Sequence, residues 1–202
     1  MIILALDTSS VECSVAVYDS LSTGVLGFDV KVLGRGHAEY LIESVDAAII
    51  KSGLSISQVE CIVTTVGPGS FTGVRVAVSA ARGFALALGC PALGIGNLEV
   101  LAHAYLERSS KNSVMALING RIGYVYLQSF SIDGSPLSEA MLVSYEKACV
   151  FIENFNGVTV GYGVDAFKEL DMKIDRYPID VIARLGALRL PQSPRPIYFF
   201  LP

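Results

Sequence analysis

Residues that bind metals or form disulfides are scarce in this chain of 202 residues. It has two histidines and four cysteines, and no two cysteines stand at C-x-x-C spacing. Zinc ribbons and thiol redox motifs need closely spaced ligands, so this spacing argues against both. His37 precedes a predicted helix, but Leu41 stands one turn later, where a second metal ligand would be needed. We therefore predict no metal site.

An excess of positive charge is also missing. The formal net charge is −4, and the first hundred residues carry five basic and nine acidic side chains. Proteins that bind nucleic acid on their own usually have a basic surface, because neutralising phosphates dominates the affinity. If this chain acts on RNA, we expect a partner to hold the RNA.

Apolar runs long enough to cross a membrane are absent from the sequence. A bilayer span needs about 20 apolar residues, whereas Arg75, Ser79 and Arg82 interrupt the longest apolar segment, residues 71–88. The N-terminal MIILALD has no basic region before its apolar residues and so differs from a signal peptide. We expect a cytoplasmic protein without a membrane span.

Hydrophobic residues make up 52% of the chain, which is enough for a packed core. Their periodicity predicts three strands, then helices alternating with strands. The strands are 2–6, 13–17, 25–33, 59–66 and 92–95, and the helices are 38–51, 71–88 and 97–106. Three sequential strands form an antiparallel meander, and the strand–helix–strand units add parallel crossovers. This order indicates an α/β fold of the actin-like ATPase or ribonuclease-H-like type, with mixed sheets flanked by helices.

The remaining half of the chain contains a similar mixture of elements. Its predicted elements are strands 113–118, 123–130 and 158–161 and a helix over 145–154. The last twelve residues, PQSPRPIYFFLP, are interrupted by prolines and are expected to be extended. We predict an N-terminal half-domain over 1–106 and a smaller, degenerate C-terminal half-domain over 107–202.

Asp7, Thr8 and Ser9 follow the first predicted strand and have two interpretations. In actin-like ATPases a loop at this place approaches the nucleotide phosphates, and its acidic residue orders metal-bound water. In the alternative, Asp and Ser side chains bond nearby backbone N–H groups and form a local turn. The sequence leaves both open.

The glycine-rich segment GPGSFTG spans residues 67–73 and leads into a helix. Gly67, Gly69 and Gly73, with Ser70, would present backbone N–H groups to an anion at the helix start. The segment lacks the lysine of a Walker loop, and its third glycine comes one residue late for G-x-G-x-x-G. Glycines also permit a tight turn and close packing without any ligand. The sequence leaves two interpretations open. The segment is either a residual phosphate loop, formed together with Asp7, Thr8 and Ser9, or a tight turn without a ligand.

The helices 38–51 and 71–88 carry more apolar residues than one buried stripe requires. The surplus predicts a surface for a partner, or alternatively a surface covered by the second half of the chain. Within the second helix we expect Val78 and Ala81 on the exposed side. The predicted partner residues are Tyr40, Leu41, Val45, Ala48, Ile49, Val74, Ala77, Val78, Ala81, Arg82 and Ala85.

Four segments together resemble the bacterial TsaB family, also called YeaZ. They are ILALDTSSVECSVAV, HAEYL, GPGSFTGVRVAVSAARGFALALGCPALGIGNLEVLA and GRIGYVY. The resemblance covers most of residues 2–130. It implies an actin-like fold and a role in making N6-threonylcarbamoyladenosine, the modified base beside the anticodon of tRNAs that read codons beginning with A.

The resemblance also implies partners for the chain. In this family the transferase is the paralogue TsaD, which carries an HxxxH metal pair, and the ATPase TsaE joins the assembly. Here HAEYL lacks the second histidine, so the resemblance implies a non-catalytic subunit that binds TsaD through its first two helices. It implies no cofactor of its own, with ATP and magnesium at the assembled complex, tRNA reached through that complex, and a homodimer when the chain is alone.

Two segments depart from the family pattern. Asn119, Gly120 and Arg121 stand where the family usually has an aspartate before Ala-Arg, and the tail after Arg195 lacks the usual tyrosine followed by a basic residue. An autonomous actin-like ATPase or a metallopeptidase-like protein remains the alternative function. For an ATPase, Gly161 and Gly163 are the candidates for a second phosphate loop.

Overall fold

The chain forms two compact units. In this computed structural model one unit contains Met1–Gly96 and Tyr177–Ile197, and the other contains Asn97–Arg176 and the chain from Tyr198. The structure describes residues 1–109, 112–164, 167, 170–174 and 176–199.

The first unit is built on a mixed sheet of five strands in the order β3-β2-β1-β4-β5. The strands are β1 (Ile2–Asp7), β2 (Glu12–Asp19), β3 (Gly24–Val32), β4 (Cys61–Thr65) and β5 (Ala92–Ile95). β1, β2 and β3 form an antiparallel meander, whereas β4 and β5 run parallel to β1. The predicted meander with parallel crossovers is confirmed.

Helices cover both faces of this sheet. They are α1 (His37–Ser52), a short 3-10 helix (Ile56–Gln58), α2 (Phe71–Leu88) and, near the end of the chain, α5 (Ile179–Ala187). α1 packs on β2 and β3, and α2 packs mainly on β4. α5 meets the opposite face, since a Cβ on Gly186 would lie 2.3 Å from Val63 while the neighbouring Ile62 packs with α1 and α2 residues.

The second unit repeats the same strand order on different residues. Its sheet is β10-β9-β6-β7-β8, in which β6, β7 and β8 are antiparallel and β9 and β10 run parallel to β6. Its elements are α3 (Asn97–Leu106), β6 (Val114–Asn119), β7 (Tyr124–Phe130), β8 (Met141–Ser144), α4 (Tyr145–Glu153), β9 (Val158–Tyr162) and β10 (Met172–Lys173). The predicted fold class, two half-domains with mixed sheets flanked by helices, is confirmed.

The two units differ from the predicted half-domains 1–106 and 107–202 in two segments. α3 belongs to the second unit because it packs on β6, β7 and β9. α5 returns to the first unit because it packs on β1, β2, β4 and β5. Both assignments depend on contacts between distant parts of the chain, which local periodicity does not contain.

α2 is long and apolar enough to cross a membrane by length and composition alone, with a mean hydropathy of 1.3 over 18 residues. Such a test is weak evidence, because core helices of globular units also pass it. α2 packs along β4 and carries two exposed arginines, Arg75 and Arg82. Five of its 18 residues are buried, whereas the apolar side chains of Phe71 and Leu86 are exposed.

Candidate functional site

The Asp7 carboxylate organises the turn after β1. Its Oδ1 accepts hydrogen bonds from the Ser9 backbone N–H (3.0 Å), the Ser9 hydroxyl (2.5 Å) and the Thr65 hydroxyl (2.5 Å). β1 and β4 are parallel neighbours, so their carboxyl ends bring Asp7 and Thr65 together. Thr65 was not predicted from the sequence, although its position at the end of β4 was the available signal. The local-turn interpretation accounts for these bonds.

The other carboxylate oxygen of Asp7 has no hydrogen-bond partner in the part of the chain that the structure describes. Asp7 is 1% exposed, and its Oδ2 makes no hydrogen bond with any described residue. Burial raises the pKa of this carboxyl, while the bonds from Ser9 and Thr65 and the charge of His37 oppose the shift. His37 Nε2 is also buried, and none of the described residues forms a hydrogen bond with it. These two atoms are unsatisfied polar groups at the candidate site.

The glycine-rich loop packs directly on this turn. The Thr8 hydroxyl donates to the Gly73 carbonyl (2.6 Å), and the Ser70 N–H donates to the Ser9 carbonyl (2.8 Å). A Cβ on Gly73 would lie 1.8 Å from the Thr8 carbonyl oxygen, so no other residue fits without movement of the backbone. Gly73 therefore serves the close approach of α2 to the first turn.

Backbone N–H groups at the start of α2 also form hydrogen bonds within the protein. Ser70 is the N-cap, and its hydroxyl accepts from the Gly73 N–H (3.2 Å) while its carbonyl accepts from Val74 (2.8 Å). These are ordinary capping interactions, which satisfy donors that a phosphate would otherwise meet. Gly67 is buried and has φ 98°, and Gly69 is exposed. The structure thus brings the two predicted segments together, and their role as a phosphate loop stays a prediction.

Most of the predicted partner residues face the sheet of their own unit. Leu41, Val45, Ala48, Val74, Ala77, Val78 and Ala81 are all buried. The expectation that Val78 and Ala81 lie on the exposed side of α2 is wrong, because they are 3% and 0% exposed. Positions spaced by three and four residues share one helix face, and here that face packs on the sheet. Ile49 and Ala85 are half-buried, and Tyr40 and Arg82 are exposed.

The outward faces of the two helices form a different set, which we call the helix surface. It consists of Glu39, Tyr40, Ile42, Glu43, Asp46 and Ile50 on α1 and Phe71, Arg75, Ser79, Arg82 and Leu86 on α2, all exposed. The available sequence signal was the polar stripe of Arg75, Ser79 and Arg82, which Leu86 continues at helical spacing.

The helix surface combines apolar side chains with charges of opposite sign. Ile50 is 78% exposed and Leu86 is 86% exposed. The charges on α1 side chains of this surface are all acidic, whereas those on α2 are Arg75 and Arg82. A cavity of about 430 Å³ adjoins it and is lined by Arg82, Ala85, Leu86, Gly89, Cys90, Ala92 and Ser193.

The second unit has no carboxylate at the position that matches Asp7 in topology. Asn119 ends β6 as Asp7 ends β1, and its Oδ1 accepts from the Tyr145 hydroxyl (2.9 Å). Gly161 lies in β9, and Gly163 follows Tyr162, the last residue of that strand. A Cβ on Gly161 would lie 2.2 Å from the Val164 side chain. This segment is packed against its own unit, and its predicted role as a second phosphate loop is untested.

The chain is similar in sequence to known proteins over most of its length. The TsaB protein of Escherichia coli (strain K12), named a tRNA threonylcarbamoyladenosine biosynthesis protein, is 30% identical over 84% of this chain and 75% of its own length. This chain belongs to the TsaB family. The TsaB of Haemophilus influenzae is 31% identical over 85% of this chain and 76% of its own length.

Two further comparisons support the TsaB assignment. A family model described as "TsaD: tRNA N6-adenosine threonylcarbamoyltransferase" matches residues 18–158. The solved structure of YeaZ from Pseudomonas aeruginosa is 25% identical and superposes with a TM-score of 0.81 over 98% of this chain and 99% of that one. The resemblance to TsaB and YeaZ is therefore confirmed, and with it the actin-like fold.

Proposed function

We propose that this chain is a non-catalytic subunit of the machinery that makes N6-threonylcarbamoyladenosine in tRNA. In this proposal the helix surface binds a TsaD-like transferase. The observation that carries it is the uncovered, charge-segregated surface on α1 and α2 of a TsaB-family chain. Large exposed apolar areas on a globular protein mark interaction sites.

The composition of the helix surface suits a partner built in a similar way. Acidic side chains on α1 and arginines on α2 would meet opposite charges on a helix pair of the same design, which orients the two proteins. The apolar residues Phe71, Leu86 and Ile50 between and beside them would supply the buried area. The adjoining cavity beside Arg82 and Leu86 would accept a side chain of the partner.

Two features support a non-catalytic role. The polar groups of the Asp7 turn and the α2 N-terminus are largely used by one another, as the bonds among Asp7, Ser9, Ser70 and Thr65 illustrate. Leu41 stands where the paralogue TsaD has its second metal histidine, and it is 2% exposed and part of the core. We propose that phosphate and metal chemistry belong to the partner.

The proposed assembly has further components besides this chain and the transferase. We propose that a TsaE-like ATPase joins it, that ATP and magnesium bind in the assembled complex, and that tRNA is reached through it in the cytoplasm. The net charge of −4 suits a subunit that does not bind RNA alone. Without the transferase, the same helix surface would pair two copies, and this resting dimer would compete with the heterodimer.

The test is size-exclusion chromatography with light scattering on this chain mixed with the TsaD-like protein of the same organism. We expect a heterodimer, and we expect Leu86→Asp to abolish it because it replaces an exposed apolar side chain of the helix surface with a charge. Leu137→Asp is the matched control, since Leu137 is 59% exposed in the second unit. Unchanged binding by Leu86→Asp and by Phe71→Asp would overturn the proposal.

A second candidate function is an autonomous enzyme, either an actin-like nucleotide hydrolase or a metallopeptidase-like protein. The unpartnered Asp7 Oδ2 and His37 Nε2 favour it, since both atoms are able to bind a cation or a polar ligand. Purified chain would then hydrolyse ATP with magnesium, or a peptide with a transition metal, and Asp7→Asn would abolish the turnover. Absence of turnover by the isolated chain with either cation rejects this candidate.

A further inference from the structure

The cavity of about 430 Å³ in the first unit lies where the end of α2, the start of β5 and the segment after α5 meet. Its lining residues are Arg82, Ala85, Leu86, Gly89, Cys90, Ala92 and Ser193. Cavities that bind small molecules usually measure about 300 to 1,000 Å³ and combine apolar walls with a few polar groups. This cavity has both the size and the composition of such a site.

The wall of the cavity offers apolar contacts and free space. Ala85 and Ala92 are half-buried, and Leu86 is exposed. Gly89 ends α2 with φ 66°, and a Cβ there would meet no described atom within 4 Å beyond its chain neighbours. A short apolar chain therefore fits beside these residues.

Arg82 gives the cavity a positive charge. Among the described residues that line it, only Arg82 is charged at neutral pH. No described residue forms an ion pair or a hydrogen bond with its guanidinium group. A guanidinium group has five N–H donors and binds a carboxylate through two parallel hydrogen bonds.

The other polar groups of the cavity do not oppose an anion at Arg82. Burial raises the pKa of the Cys90 thiol, which is therefore uncharged at neutral pH, and the Ser193 hydroxyl is able to donate a hydrogen bond. The last carbonyls of α2 carry partial negative charge. Gly89 follows Arg82 by seven residues, about 10 Å along a helix axis. An anionic group is thus favoured at the Arg82 end, and an uncharged one at the Gly89 end.

We propose that this cavity binds a carboxylate group carried on a short apolar chain. The carboxylate oxygens accept hydrogen bonds from Arg82, and the chain lies against Ala85, Leu86 and Ala92. A glutamate side chain of a partner and a free short-chain carboxylic acid both have this chemistry. Binding of the free acid does not require the transferase, so this proposal and the proposed function can fail separately.

Nuclear magnetic resonance titration of the full ¹⁵N-labelled chain with butanoate tests the proposal. We expect butanoate to shift the amide signals of Gly89 and Cys90 with a dissociation constant of about 1 to 10 mM, as suits so small a ligand. Butanamide is the matched ligand control, because it has the same shape without the charge, and it should cause no such shift. Equal shifts with both ligands, or none with butanoate up to about 100 mM, would overturn the proposal.

Substitution of Arg82 tests the residue assignment in the same titration. Arg82→Met keeps the apolar stem and is expected to weaken butanoate binding at least about five-fold, because it removes charge-assisted hydrogen bonds. Arg108→Met is the matched control, since Arg108 is exposed in the second unit. Dispersed amide signals show that each variant is folded. Equal affinity of Arg82→Met and the parent would contradict the assignment.

Alkylation of Cys90 by iodoacetamide supplies the second readout. Saturating butanoate should slow this reaction at least about three-fold in the parent, because only the uncovered thiolate reacts, and should not slow it in Arg82→Met. Cys149 is the internal control, since it is exposed in the second unit. Peptide mass spectrometry measures both rates. Equal protection of Cys90 and Cys149, or protection by butanamide, would contradict a carboxylate site.

Binding of the Arg82→Met variant to the transferase distinguishes the two sources of the carboxylate. A loss of affinity, with competition by butanoate in the parent, would assign the carboxylate to a side chain of the transferase. Unchanged affinity would assign it to a free acid. A parent chain that shifts with butanoate and does not bind the transferase would reject the proposed function and support the carboxylate site.

Discussion

The two units of this chain share one strand order and differ at the ends of the equivalent strands. In the first unit β1 ends in the Asp7 carboxylate, and β4 leads through a glycine-rich loop into α2, a helix of 18 residues. In the second unit β6 ends in the Asn119 amide, and β9 is followed by Gly163 and a parallel strand of only two residues. A repeated sheet thus carries two different sets of loops, and the candidate site and the helix surface lie in the first unit.

Gly73, in the first turn of α2, and Gly161, in β9, also differ in the atoms that surround them. Gly73 faces backbone, because a Cβ would lie 1.8 Å from the Thr8 carbonyl oxygen. Gly161 faces side chains, the nearest atoms belonging to Val164 and Leu170. Backbone moves less readily than the end of a side chain, so a Cβ at Gly73 is expected to be tolerated less well than one at Gly161.

The largest effect is expected from Gly73→Ala. We expect it to lower the free energy of unfolding by about 3 kcal/mol or more, because the methyl group overlaps backbone atoms that both strand and helix hold in place. Chemical denaturation measures the change. Gly83→Ala on the same helix is the control, since a Cβ there would meet no described atom within 4 Å beyond its chain neighbours and its own helix backbone. It is expected to stabilise by about 0.5 to 1 kcal/mol. Equal stability of both variants would contradict the close packing of the loop.

A smaller effect is expected from Gly161→Ala in the second unit. Its Cβ would lie 2.2 Å from Val164 Cγ2 and 2.6 Å from Leu170 Cδ1, and both side chains are able to shift. We expect a loss of about 1 to 2 kcal/mol by denaturation. A loss as large as that of Gly73→Ala would remove the contrast between the two strand ends.

Asp7→Asn compares the carboxylate of the first unit with the amide of the second, and its effect depends on pH. Burial raises the pKa of Asp7 above the ordinary value of 3.8. Folding therefore binds a proton, and the stability from this group is fully present below pH 3.8 and is lost as pH rises through the folded pKa. We expect Asp7→Asn to lack this decline and to match or exceed the parent at neutral pH.

Unfolding curves measured from pH 3 to pH 8 on parent and variant check this expectation. Thr65→Val is the companion variant, because it removes one hydrogen bond to Asp7 Oδ1 without changing the charge, and it should lower stability by about 1 kcal/mol. If the stability of the parent relative to Asp7→Asn instead rises with pH over this interval, Asp7 is held as a stabilised carboxylate.

The smallest stability effect is expected on the helix surface. Leu86→Asp changes an exposed side chain, so its free energy of unfolding should stay within about 0.5 kcal/mol of the parent. Val78→Asp, on the buried face of the same helix, should instead unfold the first unit. The two variants compare, within a single helix, the loss of stability caused by a charge on the exposed face with the loss caused by a charge on the buried face.

Several elements were predictable because their ends are marked locally. The predicted bounds of α2, β5 and α3 match the structure residue for residue. Ser70 caps the start of α2, and Gly89 ends it in the left-handed conformation. α5, β8 and β10 were not predicted, and the two strands are short, with four and two residues.

The candidate site was predictable in part. Asp7, Ser9 and Gly73 were singled out by residue type, and the structure brings them together. Thr65 was missed because its link to Asp7 is made by strand pairing across 58 positions of sequence. The outward face of α2 was misassigned because a helix that is apolar nearly all round gives no clear signal of which side is buried.

The sequence by itself determined the order of strands and helices over residues 2–106, the ends of α2 and the TsaB family, since these depend on neighbouring residues and on motifs. Only the tertiary structure decided which face of α2 is buried, that Gly73 packs on Thr8, that α5 returns to the first sheet and that Arg82 and Ser193 line one cavity. Each of these depends on contacts between segments far apart in the chain, and burial becomes defined only when those segments meet.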